Sequence, residues 1–152
     1  MTVFAVVAGG GTAGHVLPGI AVAEALVARG HDRSAVRFLG ARKGMEAALV
    51  PVHGFLLDLD DVEGVPLRPT PANAVRALRS GAGLVAAAGR SWRRFGRWRP
   101  AVVVSVGGYA SVGAVLAAVA RRVPLGVVSY DAVPGRPSRL AAFSGPRSRP
   151  AR

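Results

Sequence analysis

The fold of this 152-residue chain is decided by residues 3–15, which read VFAVVAGGGTAGH. The first six are all apolar, which is typical of a strand in a parallel sheet covered by helices on both faces. The glycines that follow can adopt positive φ angles and let the backbone approach a ligand closely. Beyond them, apolar residues recur at helical spacing, so a helix is predicted over residues 15–29.

Short strand-like runs and helical stretches alternate along the rest of the chain. Strands are predicted at residues 2–8, 36–39, 55–59, 101–106 and 125–129, and helices at residues 44–52, 72–98 and 110–122. Residues 60–71 hold three acids, three prolines and a glycine, which predicts a loop. This βαβαβαβαβ order predicts an α/β fold with a Rossmann-like, mainly parallel sheet and right-handed crossovers.

The composition excludes several classes of protein. With 51% hydrophobic residues the chain is not wholly disordered, and without cysteine it has no disulfide, thiolate metal site or cysteine nucleophile. The net charge of +12 comes from 19 Arg and one Lys against eight acids. Such a charge suits nucleic acid or an anionic membrane surface. Because no nucleic-acid-binding motif accompanies it, an anionic ligand or membrane surface is the favoured partner and nucleic acid is not expected.

Two uncharged stretches, residues 1–23 and 100–120, are nominally long enough to span a bilayer. Glycine-rich turns interrupt both of them, so each is interpreted as a buried strand, a turn and an apolar helix. The start of the chain also lacks the basic residues of a signal peptide. A soluble, cytoplasmic location is therefore expected.

Residues 9–14, GGGTAG, match the pattern G-x-G-x-x-G between a predicted strand and a predicted helix. A dinucleotide-binding domain needs an acid near the end of the second strand to bind the ribose hydroxyls. Residues 40–43 read GARK there and contain no acid. An NADP-dependent oxidoreductase domain, with Arg42 meeting the extra phosphate, therefore remains as the alternative.

A second glycine-rich turn, residues 107–111 with the sequence GGYAS, follows the predicted fourth strand. Open α/β sheets bind ligands at the carboxyl ends of their strands. The two turns are therefore expected to lie side by side there. His15, directly after the first turn, is a candidate base because imidazole can accept a proton near neutral pH.

Four segments of the chain together resemble the MurG family of peripheral glycosyltransferases. They are GGGTAGHVLPGIAVAEAL at residues 9–26, GMEAALVP at 44–51, GGYAS at 107–111 and AVPG at 132–135. The resemblance spans residues 3–141. It implies the N-terminal, acceptor-binding domain of a GT-B glycosyltransferase, over residues 1–141. Residues 142–152 are expected to be a basic, disordered tail.

The resemblance also implies an activity. It is the inverting transfer of N-acetylglucosamine (GlcNAc) from UDP-GlcNAc to the 4-hydroxyl of the muramyl sugar of lipid I, which makes lipid II for peptidoglycan. The family works at the cytoplasmic face of the bacterial membrane, as a peripheral protein, and no metal or other cofactor is expected. The domain that holds most of UDP-GlcNAc would follow this chain. We therefore expect a truncated protein that is inactive alone, or a non-catalytic acceptor-binding subunit of a split glycosyltransferase.

The resemblance places substrate binding on the two glycine-rich turns and on the segment after the fifth strand. His15 is the expected catalytic residue, either as the base or by orienting the acceptor. The expected substrate-binding residues are Gly11, Thr12, Ala13, Gly14, His15, Gly107, Gly108, Tyr109, Ser111 and Asp131. Asp131 stands where many members have the Asn of a His-Glu-Gln-Asn run, and Val128, Ser129 and Tyr130 replace the other three residues.

Two further features can be interpreted in more than one way. Glu46 lies in the first turn of a predicted helix, where the helix dipole alone explains an acid, and a site role stays open. The end of the long helix is both basic and aromatic, which favours contact with anionic lipid over a merely solvated face. The expected membrane-facing residues are Trp92, Arg93, Arg94, Phe95 and Arg97.

Overall fold

The structure, a computed structural model, describes residues 2–63 and 71–128. The strands are β1 (Ala5–Ala8), β2 (Val36–Ala41), β3 (Leu56–Asp60), β4 (Val102–Ser105) and β5 (Leu125–Val127). The α-helices are α1 (Ala13–Ala28), α2 (Glu46–Val52), α3 (Pro71–Trp98) and α4 (Val112–Ala120). Single 3₁₀ turns lie at Arg33–Ala35 and Tyr109–Ser111. Asp131, the expected tail and most of the expected loop at residues 60–71 lie outside the described residues.

All five strands pair in parallel in one sheet, in the order β3-β2-β1-β4-β5. The predicted Rossmann-like parallel sheet is thus confirmed. In the centre of the sheet Val7 of β1 lies between Phe38 of β2 and Val104 of β4. The strand order reverses between β1 and β4, and open α/β sheets bind ligands in the crevice at such a switch point.

The core lies on both faces of the sheet, because β1 is buried along its whole length. On one face Val7 belongs to a cluster with Val16 and Ile20 of α1 and with Val50 of α2. On the other face Val6 and Ala8 pack with residues of α3 and α4. The alternation of side chains along β1 therefore distributes its apolar residues to two helical layers.

The long helix α3 forms without interruption despite its four glycines, and it packs closely against α4. A Cβ on Gly113 of α4 would lie about 3.0 Å from the backbone of Ala87 in α3. The bare Cα of Gly113 therefore allows the two helix backbones to approach each other. Helix α1 begins at Ala13, two residues earlier than predicted, and Pro18 lies in its second turn.

Phe95 and Arg94 are not surface residues, which corrects two of the expected membrane-facing positions. Phe95 is 2% exposed and lies in the core with Trp98, because both side chains point from α3 onto the sheet. Arg94 also turns inward and forms ion pairs with Asp58 and Asp60 on β3. Trp92, Arg93 and Arg97 are exposed. Among the described residues, no helix is long and apolar enough to cross a membrane.

Candidate functional site

The two glycine-rich turns lie against each other at the carboxyl ends of β1 and β4, as predicted. We call residues 9–14 the first glycine loop and residues 107–111 the second glycine loop. A Cβ on Gly9 would overlap the carbonyl oxygen of Gly107, and a Cβ on Gly108 would overlap the carbonyl oxygen of Gly10. The two backbones thus approach each other more closely than any residue with a side chain would allow.

Backbone angles give the same glycines a second reason to be present. In the first loop φ is +147° at Gly9, +149° at Gly10 and +96° at Gly11. In the second loop φ is +88° at Gly107 and +77° at Gly108. Only glycine adopts such angles without steric cost. The two loops therefore depend on glycine both for their conformation and for their contact.

His15 lies in the first turn of α1, at the mouth of the first glycine loop. Its Nδ1 atom is 2.8 Å from the Oγ1 atom of Thr12, so the hydroxyl fixes the orientation of the ring. If Nδ1 carries the proton and donates to Thr12, Nε2 is left with a free lone pair. In that tautomer Nε2 could accept a proton from an acceptor hydroxyl.

The backbone amides of Ala13 and Gly14 open helix α1. Amides in the first turn of a helix have no acceptor within the helix and carry the positive end of its dipole. They therefore suit an anionic group such as a diphosphate. Among the described residues no group of three or more His, Asp or Glu side chains could hold a metal ion.

Tyr109 joins the two loops, since its ring lies over Gly11. A Cβ on Gly11 would be 3.3 Å from the Cε1 atom of Tyr109. Burial raises the pKa of the Tyr109 phenol, and the negative charges of Glu46 and Glu63 raise it further, against the opposing effect of Lys43. The phenol is therefore held in its neutral form and can donate a hydrogen bond to an anionic ligand.

Ser111 is fully buried, which corrects its expected contact with substrate. Its hydroxyl donates a hydrogen bond of 2.9 Å to the carbonyl oxygen of Gly108, and its amide donates to the same oxygen at 3.2 Å. The side chain therefore shapes the second glycine loop from within and does not face the crevice.

Glu46 is the component of this site that the sequence left open. It is 1% exposed, and its carboxylate accepts hydrogen bonds from the amides of Gly11 at 2.8 Å and Ala41 at 2.6 Å. The sequence signal for this was weak, because an acid in the first turn of a short helix has the simpler explanation of the dipole. The glycines at position 40, in β2, and at position 44, in the turn before α2, were the available hint.

The residue required by the NADP alternative directly follows β2, the strand next to β1. Arg42, at the end of β2, is well exposed and lies 3.7 Å from the carboxylate of Asp61. The backbone amide of Arg42 donates to the carbonyl oxygen of Asp60. The site at the switch point therefore consists of the two glycine loops, His15 and Tyr109, while the position of Arg42 leaves the NADP alternative open.

A Rossmann-like domain with two glycine loops beside the switch point has the architecture of one domain of a GT-B glycosyltransferase, and the comparisons with known proteins identify the class. The chain belongs to glycosyltransferase family 28, whose N-terminal domain model matches residues 5–144. Similar proteins carry the name UDP-N-acetylglucosamine--N-acetylmuramyl-(pentapeptide) pyrophosphoryl-undecaprenol N-acetylglucosamine transferase. The relative from Anaeromyxobacter dehalogenans (strain 2CP-C) is 47% identical over 88% of this chain and 34% of its own length. The relative from Myxococcus xanthus is 40% identical over 85% of this chain and 32% of its own length.

Solved structures show the same fold. The crystal structure of MurG from Acinetobacter baumannii superposes with a TM-score of 0.77 at 25% identity, over 99% of this chain and 44% of that chain. The calicheamicin glycosyltransferase CalG4 superposes with a TM-score of 0.59 at 19% identity, over 90% of this chain and 34% of that chain. The present chain spans about a third of the length of the curated relatives that it matches.

Proposed function

We propose that this chain is the acceptor-binding domain of a glycosyltransferase that moves GlcNAc from UDP-GlcNAc to lipid I. Family membership supports a hexosyltransferase, and the names of the similar proteins supply the donor and the acceptor. The observation that carries the proposal is the contact between the two glycine loops beside His15. That arrangement suits an acceptor with a diphosphate followed by a sugar hydroxyl.

In this proposal the acceptor diphosphate lies at the amino end of α1. The amides of Ala13 and Gly14 face it, and the Tyr109 hydroxyl donates a hydrogen bond to it. His15 then stands next to the muramyl sugar, where it takes the proton from the 4-hydroxyl or orients that hydroxyl toward the donor. The donor belongs to a second domain, so this chain alone is proposed to bind acceptor without transferring sugar.

The membrane surface is the proposed partner of one face of α3. Leu78, Val85 and Trp92 are exposed and follow one another at intervals of seven residues, which places them along one stripe of the helix. Arg93 and Arg97 are exposed beside the end of this stripe. An exposed apolar stripe flanked by arginines suits the cytoplasmic face of an anionic membrane.

Two alternatives remain as outcomes of experiment. In the first, the chain serves as a non-catalytic acceptor-binding subunit whose donor domain is a separate polypeptide. In the second, it is an NADP-dependent oxidoreductase domain, which the family match does not favour. Only the second alternative requires saturable binding of NADPH.

The test of the proposed function joins the chain to the donor domain of the Anaeromyxobacter relative and measures transfer of GlcNAc to a short-chain lipid I. We expect His15→Ala to lower turnover by about 10²-fold, the usual scale for losing a general base. Its affinity for UDP-GlcNAc should stay the same, because the donor binds to the other domain.

His53→Ala is the matched control, since His53 lies at the end of α2 with 43% of its side chain exposed. We expect its turnover to equal that of the unmodified fusion. Near-full turnover of His15→Ala, or loss of donor binding instead of turnover, would leave His15 as a residue that merely caps the helix.

A further inference from the structure

Glu46 is a buried charged side chain that the proposed transfer of sugar does not use. It lies in the first turn of α2 and is 1% exposed. Burying a carboxylate is costly unless it is hydrogen bonded, so a buried acid beside a ligand site needs a compensating role.

The two hydrogen bonds of the Glu46 carboxylate connect different parts of the sheet. Oε2 accepts from the amide of Gly11 in the first glycine loop at 2.8 Å, and Oε1 accepts from the amide of Ala41 at the end of β2 at 2.6 Å. Hydrogen bonds to an ionised acceptor are about twice as strong as neutral ones. The side chain thus ties the loop after β1 to the neighbouring strand.

Three glycines surround this carboxylate. A Cβ on Gly10, Gly40 or Gly44 would overlap side-chain atoms of Glu46. These glycines come from the first glycine loop, from β2 and from the turn before α2. Three separate segments therefore leave room for one carboxylate, which is the packing expected of a built position and not of a surface acid that happens to be covered.

Gly11, which Glu46 holds, is also the residue under the ring of Tyr109. Its amide is occupied by the carboxylate and so cannot bind a ligand, whereas the amides of Ala13 and Gly14 belong to the opening turn of α1. By fixing Gly11, the carboxylate fixes both the start of that turn and the surface on which Tyr109 rests.

We propose that Glu46 is a positioning residue, which holds the first glycine loop in the conformation that binds the acceptor diphosphate. This inference rests on the proposed function. Glutamine keeps the size of the side chain but can accept only one of the two hydrogen bonds, because its NH₂ group is a donor facing a second donor. Glu46→Gln should therefore loosen the loop without creating a cavity.

The experiment measures binding of a muramoyl-pentapeptide diphosphate with a short prenyl chain to the full 152-residue chain by calorimetry. We expect Glu46→Gln to bind it at least about tenfold more weakly than the unmodified chain, which corresponds to about 1.4 kcal/mol. The matched control is Asp60→Asn, which alters a buried carboxylate on β3 that binds arginines of α3. The affinity of Asp60→Asn for the probe should stay within about twofold of that of the unmodified chain, even though losing this buried carboxylate lowers the melting temperature.

A second measurement does not depend on the variant folding. Amide hydrogen exchange of the unmodified chain should show Gly11 protected and the amide of Gly14, in the opening turn of α1, exchanging quickly. Equal exchange at the two amides overturns the proposal. So does a Glu46→Gln chain that binds the probe as tightly as the unmodified chain. If the unmodified chain does not bind the probe, the proposed function fails, and the proposed role of Glu46 in acceptor binding fails with it.

Discussion

At the scale of single residues, the contact between the glycine loops depends on the absence of side chains. Gly108 has φ of +77° and would place a Cβ on the carbonyl oxygen of Gly10. Gly30, after α1, has φ of +95° but nothing within 4 Å of a Cβ. Both positions have a positive φ, but only Gly108 touches another loop. Comparing them therefore separates the cost of the backbone angle from the cost of the steric overlap.

Alanine at each position gives a measurable difference in the free energy of unfolding. Gly30→Ala should cost about 1–2 kcal/mol, the penalty of a left-handed angle. Gly108→Ala should lose a further 1–3 kcal/mol or so, because the new methyl group forces the loops apart. Urea denaturation of both variants measures this. Equal losses would show that the loops are not in contact.

Tyr109 predicts a pH dependence at the same scale. Because burial and the nearby carboxylates raise the pKa of its phenol, the folded chain should resist ionisation of Tyr109. A raised pKa contributes stability below the ordinary value of about 10, and this stability is lost as the pH rises through the pKa of the folded state.

The measurement is the absorbance of tyrosinate near 295 nm as the pH is raised, compared between the unmodified chain and Tyr109→Phe. The difference between the two curves reports the ionisation of Tyr109 alone. Its midpoint should lie at a higher pH in the folded chains than in the same chains unfolded in urea. If the two midpoints coincide, the Tyr109 ring is not held over the first glycine loop.

At the scale of elements, ion pairs attach α3 to the edge of the sheet. The carboxylate of Asp60, at the end of β3, forms ion pairs with Arg90 at 2.6 Å and with Arg94 at 2.9 Å. Only 8% of the Asp60 side chain is exposed. Removing one partner of a buried pair leaves the other charge poorly compensated. Asp61, next along the chain, has 78% of its side chain exposed and only a long contact of 3.7 Å with Arg42.

Asp60→Asn should therefore lower the free energy of unfolding by about 1.5–3 kcal/mol, the range for hydrogen bonds to charged groups. Asp61→Asn should change it by less than about 1 kcal/mol, as for exposed pairs. Thermal denaturation of both variants compares them. A similar small effect at both positions would mean that the attachment of α3 does not depend on this cluster.

The exposed stripe of α3 predicts binding to anionic vesicles. Val85 on the stripe is 73% exposed, and Val52 on α2 is 83% exposed. Val85→Ser should weaken sedimentation with phosphatidylglycerol vesicles, whereas the matched variant Val52→Ser should not. Because arginines flank the stripe, added salt should weaken binding as well. Equal binding of both variants would remove this face from the proposed membrane contact.

The same helix shows where sequence reasoning succeeded and where it did not. The bounds of α3 were predicted to within one residue because Pro100 and the proline-rich loop before the helix punctuate the chain. The prediction for Phe95 is wrong because its basic neighbours in the sequence indicate an exposed surface, whereas Phe95 itself is buried. Ser91, Phe95 and Trp98 are all buried and lie at spacings of four and three, so the helical period places Phe95 on the buried face of α3.

At the scale of the whole molecule, the sheet and the two glycine loops followed from the sequence. Unbroken apolar strands that end in glycines predict a parallel sheet with a site at its carboxyl edge. The role of Glu46 did not follow, because its partner Gly11 is 35 residues away in the chain and the glycines around it come from three segments. Burial of that kind depends on tertiary packing, which local patterns do not contain.

We propose above all that the two glycine loops together bind the acceptor diphosphate. The most direct test is to record amide chemical shifts of the 152-residue chain by NMR during titration with a short-chain lipid I, and separately with NADPH. We predict saturable shifts with lipid I at Ala13, Gly14 and Tyr109, and no saturable shifts with NADPH. Saturable shifts around Arg42 with NADPH, or none at the glycine loops with lipid I, would contradict the account.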